Sequence, residues 1–272
     1  MARISIATFN VNSVRMRLPI LEKWLKDRSI DVLCLQETKV VDEDFPVAAF
    51  KEMGYRAVFR GEKSYNGVAI LTKVPMDGFA IGFGDGEEPE CDTRLVRGRI
   101  GDFCFINTYV PQGTDPLSEK FAYKLGWFER LRAFFDERFS PDKPLLWAGD
   151  FNVAPEPIDV HDPKRLLGQV GFHPDEHRAL ARVREWGFVD VFRKHRPGPN
   201  EYTFWDYRVR DSVARGLGWR VDHIWATAPL AELSVGAGID TAPRLAQRPS
   251  DHTFIYAEFE GWEEAGAKGG RP

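Results

Sequence analysis

Residues 145–152 read LLWAGDFN, an apolar run that stops abruptly on Gly149, Asp150 and Asn152. A run so short and so continuously hydrophobic is the mark of a strand buried on both faces. The same short apolar or alternating character recurs in Ile4–Val11, Val32–Glu37, Gly67–Lys73, Phe103–Val110, Val221–Thr227 and Thr253–Phe259. Helical spacings lie between these strands. Arg17–Arg28 carries Leu18, Leu21, Trp24 and Leu25, and Phe121–Phe139 carries Phe121, Leu125, Phe128, Leu131 and Phe135. Pro174–Trp186 carries Ala179, Leu180 and Val183, with Gly187 as its stop. Strands outnumber helices, and two strand–helix–strand halves are expected on either side of Ser140–Pro144. The expected architecture is an α/β (α+β) sandwich in which two packed mixed sheets are flanked by helices. No flexible linker separates the halves, so residues 1–260 read as one domain and 261–272 (GWEEAGAKGGRP), which lose all periodicity, as a disordered tail.

Composition narrows the class. With 272 residues and 43% hydrophobic content the chain can bury a large core, and disorder is excluded for most of it. No run approaches the roughly 20 apolar residues of a membrane span, and Met1–Ser5 passes into a strand pattern without a signal-peptide h-region. Of the three cysteines, Cys34 and Cys104 sit in apolar strand runs, where a reduced thiol packs as a small hydrophobe; Cys91 makes the set odd. A reducing, cytoplasmic protein is expected. The net charge of −4 does not announce a polyanion partner. Residues 178–220, however, hold ten Lys/Arg against five Asp/Glu, either a phosphate-neutralising patch or a solvated helix face.

The polar residues collect where strands stop. Asn10 and Asn12 close the first strand, Gln36–Lys39 the second, and Tyr109 another before Pro111-Gln112-Gly113. Asp150 and Asn152 end LLWAGDFN, Asp222 begins a strand, and Asp251-His252 precedes the last. If neighbouring strands end together, these groups converge on one rim. Carboxylates with amides and one histidine suit Mg²⁺ or Mn²⁺, hard cations that take oxygen ligands, and there is no thiolate cage for zinc. Each element alone is an ordinary turn former or solvated strand end; five in one chain point to a catalytic rim.

Taken together, FNVNSVR (9–15), LQETK (35–39), TYVPQG (108–113), GDFN (149–152), YTFWDYR (202–208), WRVDHI (219–224) and SDH (250–252) resemble the exonuclease III-type AP endonucleases of the endonuclease/exonuclease/phosphatase superfamily. The resemblance runs from about Arg3 to Phe259. GDFN and SDH alone would indicate only the superfamily, whereas YTFWDYR followed by GWRVDH points to its DNA-repair branch. It implies a four-layer, DNase I-like sandwich and hydrolysis of DNA phosphoesters with Mg²⁺, Mn²⁺ being a substitute.

By that resemblance Glu37 is the main metal carboxylate, with Asn10 and Asn12 beside it and Asp251 on the same cluster; the sequence does not say whether one ion acts or two, and Asp150 and Asn152 would ligate the second if there is one. Asp150 would orient or deprotonate the attacking water, or protonate the leaving group, and Asn152 would hold that water or a phosphate oxygen. His252 would donate to a phosphate oxygen while Asp222 fixes its tautomer and favours its charged form. Tyr109 would contribute a hydroxyl or a phenolate. Phe204, Trp219 and Val221 match the family's pocket for a flipped, base-less sugar, with Trp205 alongside; apart from the resemblance they read as core aromatics. Gln112, Arg208, Arg210 and Arg215 would contact the DNA backbone or grooves.

One departure stands out. His161 occupies a position where many relatives carry a small residue, and it either crowds an internal abasic sugar or is a surface-loop bystander. The expected function is a Mg²⁺-dependent repair nuclease on double-stranded DNA carrying abasic sites, nicks or blocked 3′ ends. Its activities would be 3′→5′ exonuclease, 3′-phosphatase and AP endonuclease, with AP incision the less secure. The expected protein is a monomer associated with the nucleoid. The alternatives are a small-molecule or lipid phosphoesterase of the same superfamily and a non-catalytic binding module.

Overall fold

The structure is a computed structural model that describes residues 2–87 and 93–262. β1 (Ala2–Asn10) leads through α1 (Val14–Asp27) to β2 (Val32–Gln36); α2 (Val47–Glu52), β3 (Arg56–Arg60), β4 (Val68–Thr72) and β5 (Asp77–Ile81) follow. β6 (Leu95–Ile100) and β7 (Phe103–Tyr109) precede α3 (Glu119–Arg138) and β8 (Leu145–Asp150). Next come α4 (Pro163–Leu166), α5 (Pro174–Arg184), β9 (Phe188–Asp190), α6 (Val191–His195) and β10 (Asp222–Thr227). α7 (Ala228–Glu232), β11 (Ser234–Asp240) and β12 (Phe254–Trp262) complete the described chain.

The strands form two six-stranded mixed sheets, in the orders β11-β12-β1-β2-β4-β3 and β5-β6-β7-β8-β10-β9. Each contains one parallel pair, β1/β2 and β7/β8. Parallel neighbours need a crossover, and α1 and α3 supply the two. Ser140–Pro144 therefore does not divide two halves as expected. It lies inside the β7-α3-β8 crossover, while β11 and β12 return from the far end of the chain to complete the first sheet. The last strand also runs on to Trp262, paired with Ala2; the rest of the expected tail lies outside the described residues, as does Cys91.

Side-chain alternation builds the layers. Ile4, Ile6, Val32, Cys34, Ile70, Ile255 and Ala257 of the first sheet meet Phe103, Phe105, Leu146, Ala148, Ile224 and Ala226 of the second. The other face of the first sheet, with Ala7, Phe9, Leu33, Leu35 and Phe254, packs on Leu21, Trp24 and Leu25 of α1. On the second sheet, Leu145, Trp147 and Trp225 pack on Phe128, Leu131 and Phe135 of α3 and Leu180 and Val183 of α5. Trp147 is the centre of that layer, stacked on Phe151 at 3.8 Å and edge-on to Trp225 at 5.4 Å; removing such a ring costs about 3–5 kcal/mol.

Gly149 has φ 136°, and a Cβ there would lie 2.0 Å from the Thr108 carbonyl oxygen, so only glycine lets β8 lie so close to β7. Cys34 and Cys104 are free thiols, and burial lifts the Cys34 pKa to about 12, which makes it a packing residue. Among the described residues no helix is long and apolar enough to cross a membrane.

Candidate active site

The inward-facing positions turn polar at one end of the sandwich. Ile4 and Ile6 are followed at the same period by Thr8 and Asn10, Cys34 by Gln36, Phe105 by Asn107 and Tyr109, and Ala148 by Asp150. Gln36 Nε2 donates to Thr8 Oγ1 (2.8 Å) and Asn107 Oδ1 (2.6 Å), and Asn107 Nδ2 donates to the Leu35 and Ala69 carbonyls. This polar layer ties the sheets together beneath the site.

Above it, Asn10, Asp150 and Asp222 are all 0% exposed, and strand register sets Asp150 beside both Tyr109 and Asp222. Asn10 Nδ2 donates to Glu37 Oε1 (2.7 Å) and Asp150 Oδ2 (2.8 Å), while its Oδ1 accepts the Asn12 backbone N–H (3.0 Å). Asn10 was expected as a metal ligand. Its amide nitrogen holds two carboxylates in place, because an amide oxygen turned toward them would be repelled, while its Oδ1 keeps a second lone pair beside the Asn12 N–H. Asp150 Oδ1 accepts the Asn152 N–H (2.8 Å), and His252 places Nδ1 2.7 Å from Asp222 Oδ2 and Nε2 3.8 Å from Asp150 Oδ2.

This crowding moves the pKa values apart. Burial, with the Asp222 and Glu37 charges, lifts Asp150 to about 7 against the opposing pull of His252 and the Asn10 hydrogen bond. Burial alone would lower His252, but Asp222, Asp150 and the Asp222 hydrogen bond raise it to about 10. Glu37 is also opposed by burial, yet Lys39, Asn10 and His252 bring it below the usual carboxylate range. Burial, Glu37 and Asp150 push Tyr109 well above 10, with Arg94, 4.8 Å from its ring, in partial opposition. These groups favour the Tyr109 phenol over the phenolate.

Asn12, Glu37, Tyr109, Gln112, Asn152, Phe204, Arg208, Trp219, Val221, Asp251 and His252 line one cleft of about 460 Å³, so most of the expected site residues meet. Phe204 and Trp219 form one wall through reciprocal backbone hydrogen bonds of 2.9 Å, and the Phe204 ring lies 4.9 Å from His252. His161 lines an adjoining groove that shares Gln112, Phe204, Arg208 and Trp219, its backbone N–H on the Gly218 carbonyl. Trp205 does not join them. It is buried, with its backbone N–H on the Asp251 carbonyl, and it supports the wall from behind.

The basic run over 178–220 is not one free patch. Arg220 is buried between Asp159 and Asp190, Arg193 is on Asp159, Arg196 on Glu201, and Arg208 on Asp206. Arg210 is 94% exposed beside Asp211, and neither it nor Arg215 lines the cleft. Sequence reading passed over Lys39, Val170, Gly171, Asp206 and Tyr207, all in the cleft wall. Lys39 was visible only as a member of LQETK.

A divalent cation fits this site. Glu37, Asp150 and His252 bring ligand atoms within 4.8 Å of one another. The protonated, Asp222-bound histidine has no lone pair to offer, so the ligands would be oxygens. Lys39 Nζ lies 2.7 Å from both Glu37 Oε2 and Asn12 Oδ1, and Asn12 Nδ2 donates to Asp251 (3.1 Å). Oxygens that already converge on a positive charge suit a hard ion, which Glu37, Asn12 and Asp251 could hold, with Asp150 and Asn152 adjacent.

Two helix-flanked mixed sheets, with buried carboxylates, a protonated histidine and oxygen ligands at one rim, define a metal-assisted phosphoester hydrolase. More narrowly, the chain belongs to the endonuclease/exonuclease/phosphatase family, whose family model matches residues 7–252. It is 34% identical over 265 residues to exodeoxyribonuclease III of Haemophilus influenzae, covering 93% of this chain and 98% of that protein. An AP endonuclease from Archaeoglobus fulgidus has a similar solved structure, with a TM-score of 0.91 and 48% identity over 94% of this chain and 99% of that one. The 3′-5′ exonuclease NExo from Neisseria meningitidis gives 0.89 and 34% identity, over 95% of this chain and 100% of its own.

Proposed function

We propose that this protein is a Mg²⁺-dependent DNA-repair phosphodiesterase acting on duplex DNA as 3′→5′ exonuclease, 3′-phosphatase and AP endonuclease. The observation that carries the reading is the buried row Asp222–His252–Asp150–Asn10–Glu37 opening against the apolar wall of Phe204, Trp219 and Val221. A carboxyl lifted to about 7 suits proton transfer at neutral pH, so Asp150 takes a proton from the attacking water. His252, charged across the neutral range, donates through Nε2 to a non-bridging phosphate oxygen, and Asp222 holds it there. The Tyr109 phenol donates a second hydrogen bond, and Asn152 orients the water or a phosphate oxygen. When bound, Mg²⁺ compensates the charge that develops on the phosphate and the leaving oxygen. The aromatic wall takes a base-less or 3′-terminal sugar and offers no polar partner to an intact base.

The partners are duplexes with abasic sites, nicks or blocked 3′ ends, met by a monomer at the nucleoid through a single catalytic domain. The test is cleavage of two matched duplexes in Mg²⁺, one with an internal abasic analogue and one with a 3′-phosphate at a nick, each with an EDTA control. Metal-dependent release of the 3′-phosphate is expected, and AP incision is the more sensitive to His161. Inactivity on both duplexes would refute the reading in favour of small phosphoesters.

A further inference from the structure

Helix α3 carries Lys124 on its apolar stripe, between Phe121 and Phe128. The side chains of Lys124 and its partner Glu176 on α5 are both 0% exposed. Lys124 Nζ donates to Glu176 Oε1 (2.5 Å), to the Asn152 carbonyl (2.8 Å) and to the Gln112 carbonyl (3.1 Å), which employs all three ammonium hydrogens. Glu176 Oε2 accepts the backbone N–H groups of Gly171 (2.7 Å) and His173 (3.1 Å). The pair thus joins three loops, those after β7 and β8 and the one before α5. Each contributes a residue to the cleft: Gln112, Asn152 and Gly171.

Two buried charges are not the obvious way to stabilise a core, since a packed apolar pair generally serves as well. An apolar pair could not bind these backbone groups, however. Asn152 adopts φ 51°, unusual for a residue with a side chain. Its N–H is held by Asp150, its carbonyl by Lys124, and its Nδ2 donates to the Val110 carbonyl (2.9 Å). Without the ammonium, the Asn152 and Gln112 carbonyls lose their common partner, and the two loops keep only the ties through Val110 to Asn152 and Asp150 nearer the strand ends.

We infer that Lys124, with Glu176, is a positioning residue that sets the placement of Asn152 relative to Gln112 and Gly171 across the cleft. It touches no substrate and acts through backbone carbonyls; the inference rests on the nuclease reading above. The test is the full chain carrying Lys124→Met with Glu176→Leu, which removes both charges together. Release of phosphate from a 3′-phosphate duplex is measured in Mg²⁺, and the number of competent molecules is counted by titrating the same duplex in EDTA by fluorescence anisotropy. Per competent molecule, kcat should fall about 10- to 100-fold while Kd for the duplex changes by less than about threefold. Misfolding lowers binding stoichiometry and rate together, leaving the normalised kcat unchanged. A normalised kcat within about twofold of the parent would therefore overturn the inference. Should the double variant not accumulate, Glu176→Gln carries the same readout, because an amide whose oxygen accepts from Gly171 and His173 turns a donor-only NH2 group toward the Lys124 ammonium; here kcat should fall about three- to tenfold. A parent inactive on this duplex overturns the nuclease reading and the inference with it, whereas an active parent with unaffected variants overturns the inference alone.

Discussion

His223 should reveal itself when the protein is acidified in EDTA. Fully buried, it lies between Arg220 Nη1, 2.9 Å from Nδ1, and the Val153 carbonyl, 2.9 Å from Nε2. A guanidinium only donates, so Nδ1 accepts and the proton sits on Nε2. Burial and the Arg220 charge, against Asp190 and Asp159, lower its pKa to about 3. Below about pH 6.5 the unfolded chain binds a proton that the folded chain refuses, so stability falls with pH by about 1.36 kcal/mol per unit. By pH 5 the loss is about 2 kcal/mol.

Asp150 works in the opposite direction. Its folded pKa of about 7 lies far above the unfolded carboxyl, so the fold takes up a proton first and gains stability as pH falls through the same window. His252, raised to about 10, contributes stability that is fully present below its unfolded pKa and lost as pH rises toward 10, so it adds no slope here. The parent should therefore be nearly flat between about pH 6.5 and 5, whereas His223→Gln should gain about 2 kcal/mol relative to it across that interval. Urea unfolding of both proteins at several pH values in EDTA measures the difference. A variant–parent difference independent of pH would refute the neutral, buried assignment of His223.

Other outcomes are equally specific. Asp150→Asn should lower kcat by about 10²- to 10⁴-fold with duplex binding retained, and near-normal turnover would remove Asp150 from proton transfer. Arg220→Met leaves Asp190, 2.8 Å from the lost guanidinium, buried without its partner, so chemical denaturation should report a loss of about 3–5 kcal/mol; a loss under about 1 kcal/mol would contradict it. Replacing His161 with Gly should raise the ratio of AP incision to 3′-phosphate release on the two matched duplexes, and an unchanged ratio would make that side chain a bystander.

Much of this was legible in the residues. The strands buried on both faces announced themselves as apolar runs, and their polar ends marked the rim at which Asn12, Glu37, Tyr109, Asn152, Asp251 and His252 meet. The strands that escaped include all four sheet edges, β3, β5, β9 and β11. An edge strand is half exposed and takes its order from its neighbour's hydrogen bonds, so it needs no continuous apolar run. β3, with both terminal arginines exposed, and the glycine-containing β11 are of this kind.

The amino-acid sequence by itself determined which residue types are buried and at what period, because side-chain direction is a local property of strand and helix. It thereby determined where apolar faces give way to carboxylates and amides. Tertiary structure alone decided which atoms those groups offer one another. Asn10 and Asp150 are 140 positions apart, and only folding sets the amide of one on the carboxylate of the other and, by burial beside Asp222 and Glu37, lifts the Asp150 pKa toward neutrality. Lys124 looks in sequence like an error in an apolar stripe; the loops folded over α3 give its charge three partners. Trp205 and Trp219 sit in neighbouring aromatic segments, yet one backs the wall and the other faces the cleft. Desolvation and hydrogen-bond partnership depend on residues distant in the chain, and those are the quantities that local pattern does not carry.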